Sequence, residues 1–233
     1  MSEPRAIVFD LDDTLYPLRS FVSSGFAAAA DALAPELGVS PEDVLAVLRE
    51  AREFTPGLEA QCLADRYGLE SEAFVDRFVG IVRGHWPDIR LPFESHRALL
   101  ELRPDWRIGI LTNGLPEVQR RKVAALGLRD LVDAVVFAAE CGDGTGKPER
   151  EPFFAVLDEL RVSASRTVFV GDDLGLDIFG AARVGMRTIH LTHGLPPVTG
   201  HVPTQPDARV PRIGSVPRVA ERLIEGKACV YAA

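Results

Sequence analysis

The sequence predicts an α/β fold, in which a doubly wound parallel sheet carries an all-helical domain inserted after its first strand. Short runs of β-branched and aromatic residues alternate with amphipathic helical patterns over most of the chain, as in successive βαβ units. Residues 17–91 show helical patterns and no convincing strand. Polar residues follow several predicted strands directly, at the edge where parallel sheets bind their ligands.

The first predicted strand, Ala6 to Phe9, has the apolar composition of a central strand in a parallel sheet. It stops at a short acidic segment that contains Asp10 and Asp12. Side chains alternate along an extended chain, so these two carboxylates can point to the same side. Their repulsion would be relieved by a cation between them. An acidic turn or helix cap is the alternative interpretation of this segment taken alone.

The inserted segment contains four predicted helices. The first carries Val22, Phe26, Ala29 and Leu33 on one face, the second begins at Ser40 and Pro41, the third runs from about Leu58 to Tyr67, and the fourth follows Ser71. Because the insertion directly follows the acidic segment, we expect a cap over Asp10; an independent helical subdomain is the alternative. The predicted domains are therefore a catalytic core, 1–16 with 92–233, and a helical cap, 17–91.

The rest of the chain alternates between helices and strands. The predicted strands are Arg107 to Leu111, Ala134 to Phe137, Thr167 to Val170, Arg187 to Leu191 and a short one near Ala208 to Val210. The predicted helices between and around them are Glu94 to Leu102, 116–126, one with Phe153, Val156, Leu157 and Leu160, one with Leu174, Ile178, Ala181 and Ala182, and one from about Pro217 to Ile224. A proline-rich loop from Gly194 to Pro206 precedes the last strand.

Composition limits the classes of partner and compartment. The chain has 233 residues, 46% of them hydrophobic, and a formal net charge of -8, which argues against nucleic acid or an anionic membrane as partner. Its three cysteines show no C-x-x-C spacing, and no apolar run approaches the length of a membrane span. The few residues before the first strand leave no room for a signal peptide. We therefore expect a cytoplasmic location, and no pattern in the sequence indicates an oligomeric state.

Three further strand-end or loop motifs carry groups suited to phosphate chemistry. Thr112 and Asn113 follow the second strand, Lys147 lies in a glycine-rich loop, and Asp172 follows the fourth strand. Lys147 stands out because the chain has only three lysines. A strand-end cap is the alternative for Thr112, and a solvated loop charge is the alternative for Lys147. The loop lacks the G-x-x-x-x-G-K-[ST] pattern, which excludes a P-loop triphosphatase.

With these four motifs in this order, the chain resembles the haloacid dehalogenase superfamily, in the branch whose helical cap lies between the first two motifs. The segments DLDDTLYP from Asp10 and TNGLPEVQ from Thr112 resemble phosphatase and pyrimidine 5'-nucleotidase members. The resemblance implies a Rossmann-like core beneath the cap. It also implies that Asp10 is a nucleophile that forms an aspartyl-phosphate, and that Asp12 is the general acid and base.

The same resemblance implies the remaining roles. Mg²⁺ would be held by Asp10, the main-chain carbonyl of Asp12, and Asp172. Thr112 and Asn113 would bind the phosphoryl oxygens, and Lys147 would offset negative charge in the transition state. Two interpretations of Asp173 and Asp177 stay open: one of them joins the outer shell of the metal, or they orient neighbouring groups or cap the next helix.

The implied function is Mg²⁺-dependent hydrolysis of a small-molecule phosphomonoester, such as a nucleoside monophosphate or a sugar phosphate. A phosphomutase shares all four motifs and stays an alternative. A metal-independent 2-haloacid dehalogenase is disfavoured by Asp12, because a leaving halide needs no proton. A non-catalytic phosphate-binding protein would not require a nucleophile and an acid two residues apart.

Overall fold

The computed structural model describes residues 4–69, 71–196 and 204–226 of the chain. The chain divides into two compact units, Met1–Pro17 with Arg90–Ala233, and Leu18–Ile89. The boundaries expected from the sequence were 16/17 and 91/92, and the predicted assignment of a catalytic core and a cap stays a prediction. The first unit contains every strand of the described residues, and the second contains only helices.

Six strands form one sheet in the first unit, and every neighbouring pair is parallel. The strands are β1 (Ala6–Phe9), β2 (Arg107–Thr112), β3 (Ala134–Phe137), β4 (Thr167–Gly171), β5 (Arg187–Leu191) and β6 (Ala208–Val210). Their order across the sheet is β3-β2-β1-β4-β5-β6. The predicted α/β fold with a parallel sheet is confirmed.

The strand order places the topological switch point of the sheet at β1. From β1 the chain adds β2 and β3 on one side, and it then returns to add β4 on the other side. Val8 is paired with Gly109 of β2 and with Phe169 of β4, and all of β1 is buried. The loops after β1, β2 and β4 therefore meet at one edge of the sheet, which is where such folds place their ligands.

Helices of the first unit cover the sheet. They follow the second unit in the chain and are named accordingly: α5 (Phe93–Leu102), α6 (Pro116–Ala125), α7 (Arg150–Leu160), α8 (Phe179–Arg183) and α9 (Val216–Ile224). One core cluster packs Phe153 and Leu160 of α7 against Val8, Leu111 and Phe169 of the sheet. Each such side chain contributes about 1.5–3 kcal/mol when it leaves water, so the strands that carry the polar loops have a rigid base.

The second unit has its own core. Its helices are α1 (Leu18–Leu37), α2 (Pro41–Phe54), α3 (Glu59–Tyr67) and α4 (Ser71–Gly84). Phe26, Leu33, Leu48 and Phe78 are among the buried side chains that pack together within it. Helix α2 begins as predicted, because the Ser40 hydroxyl accepts a hydrogen bond from the Asp43 main chain in a capping box. The proposed role of this unit as a cap stays a prediction.

One predicted element differs in detail. The helix expected after β4 starts with a π-helical turn, Leu174–Ile178, before the short helix α8. Such turns widen the backbone and are frequent at functional sites. Much of the predicted proline-rich loop lies outside the described residues. Among the helices that the structure describes, none has both the length and the hydropathy to cross a bilayer.

Candidate active site

The carboxyl ends of the central strands bring the predicted polar groups together. Asp10 follows β1, and its main-chain N–H donates to the carbonyl of Val170 at 2.9 Å, which continues the pairing with β4 by one residue. Thr112 is the last residue of β2, and Gly171 is the last of β4. The sheet itself therefore fixes the backbone positions from which the site is built.

Lys147 lies between two carboxylates and does not extend into solvent. Its Nζ donates to Oδ1 of Asp10 at 2.5 Å, to Oδ1 of Asp177 at 2.7 Å and to the carbonyl of Leu111 at 3.2 Å. Burial alone would lower the pKa of Lys147, but the Asp10 and Asp177 carboxylates outweigh burial and raise it above its usual range. Lys147 is thus a buried ammonium held by two carboxylates beside the end of β1.

Three acidic side chains at this edge outnumber that cation. Asp10, Asp172 and Asp177 each offer one oxygen, and these oxygens lie within 4.8 Å of one another. Burial raises the pKa of Asp172 to about 6, and the charge of Asp177 adds to the rise. Burial likewise raises the pKa of Asp10, although Lys147 opposes the rise. Clustered carboxylate oxygens with excess negative charge suit a hard divalent cation, so these residues could hold a metal ion.

Asp177 reaches this cluster through close packing against β4. One of its oxygens accepts from Lys147, and the other accepts from the main-chain N–H of Asp173 at 3.2 Å. The carboxylate lies so close to the α-carbon of Gly171 that a β-carbon there would overlap it. Glycine at the end of β4 is therefore required for the position of Asp177.

Asp173 has a different position. Its side chain accepts hydrogen bonds from the main-chain N–H groups of Gly175 and Leu176, at 2.7 and 2.8 Å. Asp173 thus caps the turn after β4. Of the two interpretations left open, the geometry matches the cap for Asp173, whereas Asp177 belongs to the buried acidic cluster.

Asn113 connects the loop after β2 to the Lys147 loop. Its side-chain oxygen accepts from the main-chain N–H of Lys147 at 2.8 Å, and its side-chain amide donates to the Lys147 carbonyl at 3.1 Å. A β-carbon on Gly146 would lie 2.7 Å from the Asn113 oxygen, and Gly146 has a φ of 82°. Glycine therefore permits the close approach that fixes the backbone of Lys147.

The Asp12 carboxylate turns toward helix α6. It accepts hydrogen bonds from the hydroxyl of Tyr16, from the amide of Gln119 and from Nζ of Lys122. The Gln119 amide also donates to the hydroxyl of Thr112 at 2.6 Å, so Thr112 and Asp12 share one neighbour. The acidic cluster contains no Asp12 side-chain oxygen; the sequence prediction for Asp12 concerned its main-chain carbonyl.

Tyr16, Gln119 and Lys122 were missed as site residues by the sequence analysis. Lysine is scarce in this chain, and the scarcity that drew attention to Lys147 applies equally to Lys122. Gln119 and Lys122 are three residues apart and so share a helix face, but the spacing does not tell which face turns toward the site. Tyr16 offers no signal beyond its proximity to the acidic segment.

The chain is similar over most of its length to one protein family and to several curated proteins. Residues 4–185 match the family described as haloacid dehalogenase-like hydrolases. The chain is 34% identical over 204 residues to the ribulose-1,5-bisphosphate 5-phosphatase of Halopiger xanaduensis, a match that covers 79% of this chain and 83% of that protein. It is 28% identical over 197 residues to the glyceraldehyde 3-phosphate phosphatase of Methanocaldococcus jannaschii, covering 82% and 86%.

A solved structure of similar fold is the 2-haloacid dehalogenase of Pseudomonas syringae pv. Tomato. It has a TM-score of 0.66 and 26% identity, and the match covers 94% of this chain and 99% of that one. Solved structures of similar fold thus include several proteins named as dehalogenases and one named as a phosphatase.

The close packing at Gly171 leads to a test of the site's architecture. We expect Gly171→Ala to force the Asp177 carboxylate away from Lys147, because the new methyl group would occupy its place. Overpacking of this kind costs about 1–3 kcal/mol. The urea midpoint of unfolding should fall accordingly.

Gly80→Ala is the matched control, because nothing lies within 4 Å of the added methyl group in helix α4. Alanine there should raise stability by up to about 1 kcal/mol through helix propensity. Equal midpoints for Gly171→Ala and the unmodified protein would contradict the described position of Asp177.

Proposed function

The chain belongs to the haloacid dehalogenase-like hydrolase family, and we propose that it is a Mg²⁺-dependent phosphatase acting through an aspartyl-phosphate. It is a phosphoric monoester hydrolase of that family. The observation that carries the proposal is the buried group at the end of β1, where Lys147 binds Asp10 beside Asp172 and Asp177. A carboxylate next to a fixed cation and an acidic cation site has what attack on an anionic phosphoryl group requires.

We assign the nucleophile to Asp10. Attack of its carboxylate on phosphorus forms the aspartyl-phosphate and releases the substrate oxygen, which takes a proton from Asp12. In the second step Asp12 accepts a proton from water, and that water displaces the Asp10 carboxylate from phosphorus. Both half-reactions use groups separated by a single residue on the loop after β1.

The phosphoryl oxygens need donors, and the loop after β2 supplies them. The Thr112 hydroxyl accepts from Gln119 at 2.6 Å and donates to the main-chain carbonyl of Asn113 at 3.3 Å. We propose that this proton turns to a phosphoryl oxygen when substrate binds. The Asn113 side chain is occupied by the Lys147 main chain, so we assign phosphate binding to the main-chain N–H of Asn113. Lys147 keeps its positive charge beside Asp10 and offsets the charge that accumulates during transfer.

The proposed cation site consists of the Asp10 and Asp172 carboxylates and the main-chain carbonyl of Asp12. Both oxygens of Asp177 accept hydrogen bonds, so we assign Asp177 to orienting Lys147. Mg²⁺ suits such a site because it takes oxygen ligands and fills its remaining positions with water and phosphate. When bound, it would neutralise charge on the phosphoryl group.

For the substrate we propose a sugar phosphate or a related small phosphomonoester. Two curated relatives, each matched over most of its length, are named as phosphatases of ribulose-1,5-bisphosphate and of glyceraldehyde 3-phosphate. A nucleoside monophosphate is the second class that the motifs suggest. The three cysteines are odd in number and far apart in the sequence, which does not suit a disulfide framework and supports our proposal of a cytoplasmic location.

Dehalogenation is the competing activity, because a solved structure of similar fold carries that name. A halide leaves without a proton, so a dehalogenase has no use for an acid two residues after its nucleophile. Asp12, with three side-chain neighbours that hold it, therefore favours phosphate hydrolysis.

The division of work between the two aspartates can be tested with rapid-quench measurements. Asp10→Asn removes the nucleophile, so we expect neither phosphoenzyme nor turnover. Asp12→Asn should still form a phosphoenzyme from p-nitrophenyl phosphate, whose leaving group is a stabilised anion. With an alkyl phosphate, formation in Asp12→Asn should be slower by roughly 10²–10⁴-fold, the usual contribution of a general acid.

Two results would contradict this division. One is a phosphoenzyme in Asp10→Asn. The other is an equal loss with the aryl and the alkyl ester in Asp12→Asn. Asp173→Asn provides a matched acid-to-amide control, because its side chain caps the turn after β4 and should affect both esters alike.

The protonation of the cluster predicts how Mg²⁺ binding depends on pH. The raised pKa of Asp172, about 6 against the ordinary 3.8, stabilises the cation-free protein at low pH, and this contribution is lost as pH rises through about 6. Mg²⁺ binds the deprotonated carboxylates, so it must displace these protons. We expect the increase in Tm produced by Mg²⁺ to be larger at about pH 8 than at about pH 5.

Thermal unfolding with and without excess Mg²⁺ measures this difference. Asp172→Asn should reduce the Mg²⁺ effect at both pH values, whereas Asp173→Asn should retain it. A Tm that does not respond to Mg²⁺ at either pH would count against the cation site.

We also propose that the helical unit, Leu18–Ile89, is a cap that selects substrates. Its support is the insertion of this unit directly after the loop that carries Asp10 and Asp12. Replacing it with a short Gly/Ser linker should reduce discrimination among sugar phosphates more than turnover of p-nitrophenyl phosphate. Unchanged discrimination among sugar phosphates in a folded deletion variant would contradict the proposed cap.

A further inference from the structure

Three side chains surround the carboxylate of Asp12, and we name them the Asp12 clamp: Tyr16, Gln119 and Lys122. The Tyr16 hydroxyl donates to Oδ1 at 2.6 Å, and the Gln119 amide donates to Oδ2 at 2.9 Å. Nζ of Lys122 reaches both oxygens, at 2.8 and 2.9 Å. The clamp residues are each at most 4% exposed, whereas the Asp12 side chain is 23% exposed.

We propose that Lys122 and Gln119 are positioning residues that aim Asp12 at the water that hydrolyses the aspartyl-phosphate. This inference rests on the proposed function. Every neighbour in the clamp is a hydrogen-bond donor to Asp12. The network therefore matches a carboxylate that accepts hydrogen bonds, which is the form that a general base must have.

The step that the clamp serves is the second half-reaction. The water oxygen bonds to phosphorus, and one water proton passes to the Asp12 carboxylate. The bond between phosphorus and Asp10 breaks, and its electron pair returns to the Asp10 carboxylate. Inorganic phosphate leaves, and no further reactant is required.

Geometry argues for positioning because the clamp removes the rotational freedom of one short side chain. A partly exposed carboxylate can rotate about two bonds, and several of its orientations point away from the substrate. The buried ammonium of Lys122 donates to both oxygens of Asp12, so rotation about the Cβ–Cγ bond of Asp12 would break at least one of these hydrogen bonds. Two of the three groups, Gln119 and Lys122, are buried residues of helix α6. A catalytic side chain is held more precisely by buried groups on a helix than by groups on a loop.

Gln119 extends the same support to phosphate binding. Its amide nitrogen carries two protons, and the structure uses one for Asp12 and the other for the Thr112 hydroxyl. The general base and the phosphate-binding hydroxyl are thus held by one buried amide. Because Gln119 and Lys122 share a face of α6, the helix presents both groups to the loop after β1 as a single unit.

A purely structural ion pair is the alternative, and the kinetic steps separate the two. Lys122→Met removes the ammonium and nearly keeps the length of the side chain. If Lys122 positions the base, the variant should form the phosphoenzyme from p-nitrophenyl phosphate at the unmodified rate and hydrolyse it about 10–100-fold more slowly. Consequently kcat and KM should fall together, with kcat/KM nearly unchanged.

A general loss of structure would instead slow formation and hydrolysis alike. Arg120→Met is the matched control, because it removes a cation from the same helix that contacts the exposed Glu140 and the ring of Phe137 and not Asp12. It should leave both steps unchanged. Gln119→Met is a second variant that keeps the net charge, and it should slow the same hydrolysis step.

A double-mutant cycle links the effect to Asp12. In an Asp12→Asn background the base is already lost, so Lys122→Met should produce no further slowing of phosphoenzyme hydrolysis. Crystal structures of Lys122→Met and Arg120→Met supply a readout without activity. The Asp12 carboxylate should change or multiply its orientation in Lys122→Met and keep it in Arg120→Met.

The outcomes distinguish this inference from the function on which it rests. If the unmodified protein forms no phosphoenzyme, the proposed function fails and the role of the clamp fails with it. If the phosphoenzyme forms but Lys122→Met hydrolyses it at the unmodified rate, or leaves the Asp12 orientation unchanged, the function stands and the positioning role is overturned.

Discussion

The contact of Lys147 with Asp10 and Asp177 is the interaction on which the rest of the site depends. It joins three separate parts of the chain: the end of β1, the glycine-rich loop before α7 and the turn after β4. A buried ammonium without a partner would be very costly, and so would two buried carboxylates without a cation. Each of the three segments is therefore stable in its position only when the other two are present.

The sheet makes that contact geometrically available. Because the strand order reverses at β1, the loops after β1, β2 and β4 emerge side by side although more than 150 residues separate the first from the last. Two glycines then permit the final approach, Gly171 toward Asp177 and Gly146 toward Asn113. Residues without a side chain are as necessary to this arrangement as the charged residues that it brings together.

The sequence was sufficient for the strands, their parallel arrangement and the acidic strand ends, because these follow from local composition and short spacing. Asp10, Asp172 and Lys147 lie together at one edge of the sheet, as the predicted motifs require. The direction of the Asp12 side chain could not be derived, because it depends on which face of α6 packs toward β1. Gln119 and Lys122 were missed for the same reason, and Tyr16 was missed because only its proximity to the acidic segment marks it. The π-helical turn after β4 was also missed, since its apolar spacing is that of an ordinary helix.

Lys122, unlike Lys147, bears on the choice between phosphate hydrolysis and halide displacement on this fold. Lys147 would serve either reaction, because both would begin with attack by the Asp10 carboxylate that it contacts. The Lys122 ammonium holds the Asp12 carboxylate by both oxygens, which suits a reaction in which that carboxylate would transfer protons. Burial of the Lys122 ammonium and the Gln119 amide lowers the stability of the fold, and a function of the Asp12 carboxylate that they contact explains why that loss is retained. The Asp12 clamp is therefore better explained by a reaction that needs proton transfer, and hydrolysis of a phosphomonoester needs it twice.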